Sequence, residues 1–200
     1  MNDSGSITEF FYNIVPGSLF LIFLNYCFNI NIVGILKQKN PSDTAIIFIY
    51  IVGGLFVGFL FQCLTKIFRG WFWNKCTFRT VVSKNEEEFD SVCKKILKPA
   101  YKKDKCIDTH KTFYLMDNSL RGEHPAFLPT HFSSRFAFWA NIAWGTFTLL
   151  LLSCFFPKSA DLNIFFIAFL IFSLWMANEH LINFYDSILK SYYMIRLKKM

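Results

Sequence analysis

The stretch TAIIFIYIVGGLFVGFLFQCL, residues 44–64, carries no charged side chain. A helix rises about 1.5 Å per residue, so this run covers roughly 30 Å, which is the hydrocarbon thickness of a typical bilayer. Asp43 and Lys66 place a charged group near each end of the run. The stretch therefore predicts a transmembrane helix.

Three further apolar runs flank it, at residues 10–36, 136–156 and 162–177. The chain of 200 residues is 54% hydrophobic and contains 26 Phe, which exceeds what a soluble core of this size can bury. We therefore predict an all-α membrane protein with four transmembrane helices. The helices form two hairpins, over residues 1–66 and 131–184.

The distribution of basic residues predicts the orientation. Of the 21 Lys and Arg residues, 14 lie in residues 66–135 and four lie in the C-terminal tail, which leaves three elsewhere. Positive charge is retained on the cytoplasmic side of a membrane, so both termini and residues 67–130 are predicted to be cytoplasmic in a multi-pass protein of the cell (inner) membrane. The net charge of +7 also favours anionic lipids as contacts, more than nucleic acid.

Residues 67–130 predict a short helical cytoplasmic segment. Ser83 and Glu86 have the spacing of a capping box, and an apolar stripe with acidic residues early and lysines late follows as far as Pro99. A second helix is predicted over residues 109–120. Residues 185–200 form a basic amphipathic tail, which is predicted to lie on the membrane surface.

The sequence contains no motif of a known catalytic site, and we predict neither an enzyme nor a cofactor. Phosphate-binding loop, zinc-protease, serine-hydrolase and dinucleotide patterns are all missing from it. The potential metal ligands that lie close together in sequence are Cys106, Asp108, His110, His124 and His131. The spacing from Cys106 to His110 fits one helical turn, but prolines interrupt the spacing from His124 to His131, so we predict no metal site.

Polar residues inside the apolar runs are the candidate functional residues, because an amide in hydrocarbon needs a partner or water. Asn25 and Asn29 form one stripe on the first run, and Asn141 lies in the third. Two interpretations remain open. The amides either form hydrogen bonds between helices or line a pore made of several copies.

Two further pairs are candidates for structural roles. Gly54 and Gly58 give the second run a small face for close helix packing, either within one chain or between subunits. Glu179 and His180 are the acid and imidazole next to an apolar run, and we interpret them as an interfacial polar pair. A proton relay is the alternative for that pair.

The arrangement of these segments resembles the four-pass membrane accessory protein that accompanies the type VI-B CRISPR RNA-guided ribonuclease. The resemblance lies in YNIVPG at residues 12–17, in FSSRF at residues 132–136, and in two hairpins around a basic segment. It implies modulation of the nuclease response from the membrane. A related branch carries an Arg-His ribonuclease signature, and the spacing of Arg121 to His124 or His131 does not fit it.

Three classes of function follow. The first is a membrane effector or regulator, a homo-oligomeric pore that modulates an anti-phage nuclease response. The second is a non-conducting anchor or accessory subunit that recruits a cytoplasmic nuclease or regulatory partner through residues 67–130. A small transporter ranks last, since few intramembrane acids or histidines are present. Dye leakage from vesicles distinguishes the first class from the second.

Overall fold

The computed structural model describes residues 4–28, 42–69, 73–96, 109–123, 130–155 and 160–196. These residues are helical almost throughout, and no strand occurs among them. The helices are α1 (Ser4–Phe28), α2 (Asp43–Phe68), α3 (Asn74–Lys84), α4 (Glu86–Ile96), α5 (Thr109–Glu123), α6 (Thr130–Phe155) and α7 (Ala160–Arg196). The predicted all-α class is confirmed.

Four of these helices, α1, α2, α6 and α7, are long and apolar enough to cross a membrane. Large apolar side chains remain exposed along them, for example Phe48, Phe56 and Ile171. A bilayer solvates such side chains, whereas water does not. The protein is therefore compatible with a multi-pass membrane protein, as the sequence predicts.

The boundaries of the helices differ from the predicted runs in three places. The first helix begins at Ser4, and its described part ends at Phe28, so the rest of the first run lies outside the described residues. The helix that contains the third run begins at Thr130, six residues before the start of that run at residue 136. The helix that contains the fourth run continues without a break to Arg196, beyond the end of that run at residue 177.

The chain divides into two compact units. The span unit consists of Met1–Phe68 and Ser134–Ala177, and the second unit consists of Arg69–Ser133 and Asn178–Met200. The tail is thus not a separate surface helix. Its apolar side chains Ile188 and Leu189 are fully buried, because protein rather than lipid covers that side of α7.

In the span unit, α1 and α2 pack closely along their glycines. A Cβ built on Gly58 would lie 2.6 Å from the carbonyl carbon of Asn13, and one on Gly54 would lie 2.9 Å from the Cα of Ser18. A neighbouring apolar cluster consists of Cys27, Phe28, Leu149 and Phe166. Close backbone approach of this kind replaces the hydrophobic effect, which does not drive helix association in lipid.

In the second unit, the predicted capping box at Ser83 is wrong. Ser83 belongs to α3, where its hydroxyl donates to the carbonyl oxygen of Thr80 at 3.0 Å. The chain leaves the helical conformation at Asn85, with φ −132° and ψ 48°, and α4 begins at Glu86. The predicted α5 and the acidic first turn of α4 are confirmed.

Candidate functional site

A hydrogen-bonded polar cluster connects three helices of the span unit. Asn141 of α6 donates through Nδ2 to Oδ1 of Asn13 at 3.1 Å, and its own Oδ1 accepts from Thr65 Oγ1 at 3.2 Å. Asn13 in turn donates to Gln62 Oε1 at 3.3 Å. Asn141 is fully buried, and Asn13 and Thr65 are nearly so. We call Asn13, Gln62, Thr65 and Asn141 the amide cluster.

The structure does not place Asn25 beside Asn141. Asn25 lies on α1 and is half-buried, about 18 Å along the helix axis from Asn13. Asn29 lies outside the described residues. Asn141 belongs to the amide cluster instead. Asn13, Gln62 and Thr65 were missing from the sequence-based candidates, although the polarity of Asn13 and Gln62 within apolar runs was a signal.

The other predicted pairs lie in different units. Gly54 and Gly58 face α1 at the close crossing described above. Glu179 and His180 lie in the part of α7 that belongs to the second unit, with Glu179 exposed and His180 half-buried. The imidazole ring of His180 lies 6.4 Å from the ring of Phe132.

The interior of the second unit is built from aromatic rings. Phe78 of α3 stacks on Phe113 of α5 with a centroid distance of 5.0 Å and an interplanar angle of 9°. Tyr185 of α7 contacts both edge-on, at 4.6 and 5.2 Å, and Phe89 of α4 stacks on Phe113 at 5.8 Å. One residue from each of four helices thus forms the aromatic cluster, which consists of Phe78, Phe89, Phe113 and Tyr185.

Polar side chains fix the same helices at the edge of the aromatic cluster. The hydroxyl of Tyr185 donates to Asn74 Oδ1 at 3.1 Å and accepts from Nη2 of Arg69 at 3.3 Å. Asn85, at the break between α3 and α4, donates through Nδ2 to Asp186 Oδ1 at 2.7 Å. Asp186 also pairs with Lys190 at 2.7 Å. The break at Asn85 is therefore anchored to α7.

A cavity of about 170 Å³ opens beside the aromatic cluster. Its charged lining residues are Arg69, Asp117 and Arg121, and Tyr114 and Ser133 add hydroxyl groups. Asp117 accepts from Nε of Arg121 at 2.9 Å through Oδ2. This lining combines two guanidinium groups with one carboxylate and an aromatic wall, and it was not predicted from the sequence, because its residues come from five separate segments.

Cys93 of α4 is completely buried in the second unit. Burial raises the pKa of its thiol to about 11; a hydrogen bond with Thr112 opposes the rise and the nearby Asp90 carboxylate adds to it. A thiol with this pKa is protonated at neutral pH and is a poor nucleophile or metal ligand.

The described residues contain no group of three or more metal-ligating side chains. Cys106, Asp108 and His124 lie outside the described residues, as do the side chains of His110 and His131. The prediction of no metal site stays a prediction.

Comparisons of the chain with protein-family models, with curated proteins and with solved structures found no match. The candidate sites rest on their geometry alone.

Proposed function

We propose that this chain is a non-conducting membrane subunit, which anchors its second unit at a bilayer so that a partner protein can bind it there. The observation that carries the proposal is the amide cluster. Asn141, a fully buried candidate pore residue, directs both its amide oxygen and its amide nitrogen to neighbouring helices of the same chain.

An amide in hydrocarbon costs several kcal/mol when it has no partner, on the order of 2–7 kcal/mol. The amide cluster avoids this cost by pairing side chains of α1, α2 and α6 with each other. Hydrogen bonds between membrane helices contribute about 0.6 kcal/mol each on average and up to about 2 kcal/mol. The pairing supports a clamp that fixes three helices, since a pore lining would direct these groups towards water.

Other polar side chains of the spans support the same interpretation. Their hydroxyls donate to carbonyl oxygens of their own helices, three or four residues earlier, so they require neither water nor a second helix. These bonds are made by Thr146 at 2.9 Å, Thr148 at 2.9 Å, Ser153 at 2.6 Å and Ser173 at 2.7 Å.

The second unit supports the recruiting role. It has an interior of its own, in which Val81, Val92 and Met116 are completely buried. Residues 67–130 carry twelve Lys and Arg against eight Asp and Glu, so an acidic surface is the complementary partner. The resemblance described above makes an RNA-guided nuclease the first partner to test.

Dye leakage tests the absence of conduction. The purified chain is reconstituted into phosphatidylethanolamine–phosphatidylglycerol vesicles that hold a self-quenching dye, and the expected leakage equals that of empty vesicles. Leakage that depends on the protein contradicts the proposal. A reduction of that leakage by Asn25→Leu or Asn29→Leu, with Asn141→Leu as the comparison, identifies a polar lining instead.

Partner capture is a second, separate test. The tagged chain is expected to retain the RNA-guided nuclease in neutral detergent. Charge reversal at the exposed Arg79 and Lys84 of α3 is expected to reduce retention at least tenfold, while vesicle insertion remains unchanged. If this variant retains as much partner as the unmodified chain, the partner does not bind through the exposed basic residues of α3.

A further inference from the structure

The cavity of the second unit has the size of a small polar group. Its volume is about 170 Å³. Drug-sized ligands occupy about 300–1,000 Å³. The cavity is therefore smaller than a typical drug-sized site, and its volume suits a phosphate group with a three-carbon alcohol.

Arg69 is held in a defined orientation at one side of this cavity. Its guanidinium carbon lies 5.7 Å from the ring centre of Phe184 and 5.9 Å from that of Tyr185. Its Nη2 group donates to the Tyr185 hydroxyl, which is itself fixed by Asn74. Such stacking lowers the entropy that a guanidinium loses when it binds an anion.

Arg121 is oriented by an ion pair rather than by ring stacking. Its Nε donates to Asp117 one helical turn earlier, and this geometry leaves the two terminal amino groups at the free end of the side chain. The Arg121 side chain is 52% exposed, so the ion pair adds little to stability because water screens it. Its effect is to direct the guanidinium.

We propose that this cavity binds a phosphate ester, with Arg69 and Arg121 as its ligands. The two guanidinium groups and the one carboxylate give the charged lining one net positive charge. A tetrahedral phosphate offers acceptors in several directions and can therefore receive hydrogen bonds from two guanidinium groups, which suit phosphate geometry. The hydroxyls of Tyr114 and Ser133 supply further donors.

The same phosphate chemistry has two sources, a free glycerol phosphate and the phosphoglycerol headgroup of a lipid. The proposal concerns the second unit alone and is independent of whether the spans conduct or a partner binds. If the phosphate ester binds, the second unit exists in a ligand-free form and a ligand-bound form.

The test uses the full chain in neutral detergent at low salt, with titration calorimetry of glycerol 3-phosphate and, in a parallel arm, of dihexanoyl phosphatidylglycerol. Dihexanoylglycerol, which lacks the phosphate, is the control ligand. Saturable binding at one site per chain is expected in at least one arm. Binding of the free ester identifies a soluble ligand, and binding of the lipid alone identifies a headgroup.

Variants decide whether the cavity is the site. Arg121→Gln is expected to weaken binding at least tenfold, and Arg121→Lys by less. Lys94→Gln is the matched control, because it removes one cation from an ion pair with the same one-turn spacing that does not line the cavity. Arg69→Gln is expected to weaken binding in the same way, because Arg69 is the second proposed ligand. If Arg69→Gln does not fold, the result for Arg121→Gln alone tests the proposal. The proposal is overturned by no binding in either arm, or by equal losses in Arg121→Gln and Lys94→Gln.

Discussion

Cys93 sits where water cannot reach it, and this burial governs its chemistry. With its pKa raised to about 11, about one thiol in ten thousand is ionised at pH 7. In a variant that keeps Cys93 as its sole cysteine, we expect modification by a thiol reagent at pH 7 at least a hundredfold slower than in the same chain unfolded in detergent. Rapid modification of the folded variant contradicts the burial.

The same shift has a consequence for stability. The folded pKa is raised above the unfolded value of 9.0, so the protonated thiol stabilises the fold at every pH below about 9. This contribution, on the order of 2–3 kcal/mol, is lost as the pH rises from about 9 through 11. Replacement by Ala is expected to remove the pH dependence that Cys93 causes in that window, measured by denaturant unfolding of both proteins.

At the residue scale, the sequence indicates which side chains need partners but not which partners they take. Asn13 and Asn141 both interrupt apolar runs, and this fact was visible. Their pairing joins residues 128 positions apart and depends on how α1 and α6 are packed. Gln62 and Thr65 complete the cluster from α2. The four-residue spacing of Asn25 and Asn29 predicts a shared helix face, so the sequence favoured these two residues as candidates. It did not indicate the amide cluster, whose members come from three helices.

At the scale of elements, the crossing of α1 and α2 depends on backbone proximity. A methyl group on Gly58 would lie 2.6 Å from a backbone carbon of Asn13, so one helix would have to move. We expect Gly58→Ala to destabilise the span unit by about 1–3 kcal/mol, the usual effect of overpacking. The measurement is the fraction that remains monodisperse after heating in detergent.

Two other glycines provide matched controls for that substitution. A Cβ on Gly53 would meet a flexible leucine side-chain end at 3.1 Å, and one on Gly122 would meet nothing within 4 Å. Ala at these positions is expected to be neutral or slightly stabilising, because Gly is a poor helix former by about 1 kcal/mol. A loss of stability in Gly53→Ala equal to that in Gly58→Ala would contradict the close crossing.

Helix α3 shows why one element was missed. Its sequence NKCTFRTVVSK contains β-branched residues and no clear amphipathic stripe, so local preference for a helix is weak. The burial of Thr77, Phe78 and Val81 stabilises it, and that burial requires α5 and α7. By contrast, α4 has charges arranged for the helix dipole at both ends, and its existence was predictable from local sequence.

At the scale of the whole molecule, the four helices that are long and apolar enough to cross a membrane were predictable. A bilayer requires contiguous apolar residues of a fixed length. The division into units was less predictable. Residues 178–196 continue an apolar helix, and their basic, aromatic composition suited a membrane surface equally well. Only the packing of Tyr185 and Ile188 in the second unit distinguishes the two locations.

The orientation of the chain is testable through fusions. Fluorescent-protein fusions at either terminus, or within residues 67–130, are expected to fluoresce, because the distribution of Lys and Arg predicts that these segments lie in the cytoplasm. A fusion within residues 37–43 is expected to be dark and to show alkaline phosphatase activity when that reporter is used. Opposite results for the two termini would contradict a four-span topology.

The aromatic cluster imposes an order on biosynthesis. Tyr185 is translated 72 residues after Phe113, with α6 and most of α7 between them. At about 5–20 residues per second, the rings of Phe78 and Phe113 wait roughly 4–14 seconds for the side chain that closes over them. During that interval the nascent chain exposes the apolar aromatic surface of Phe78 and Phe113. A chaperone or another protein can bind this surface until Tyr185 covers it.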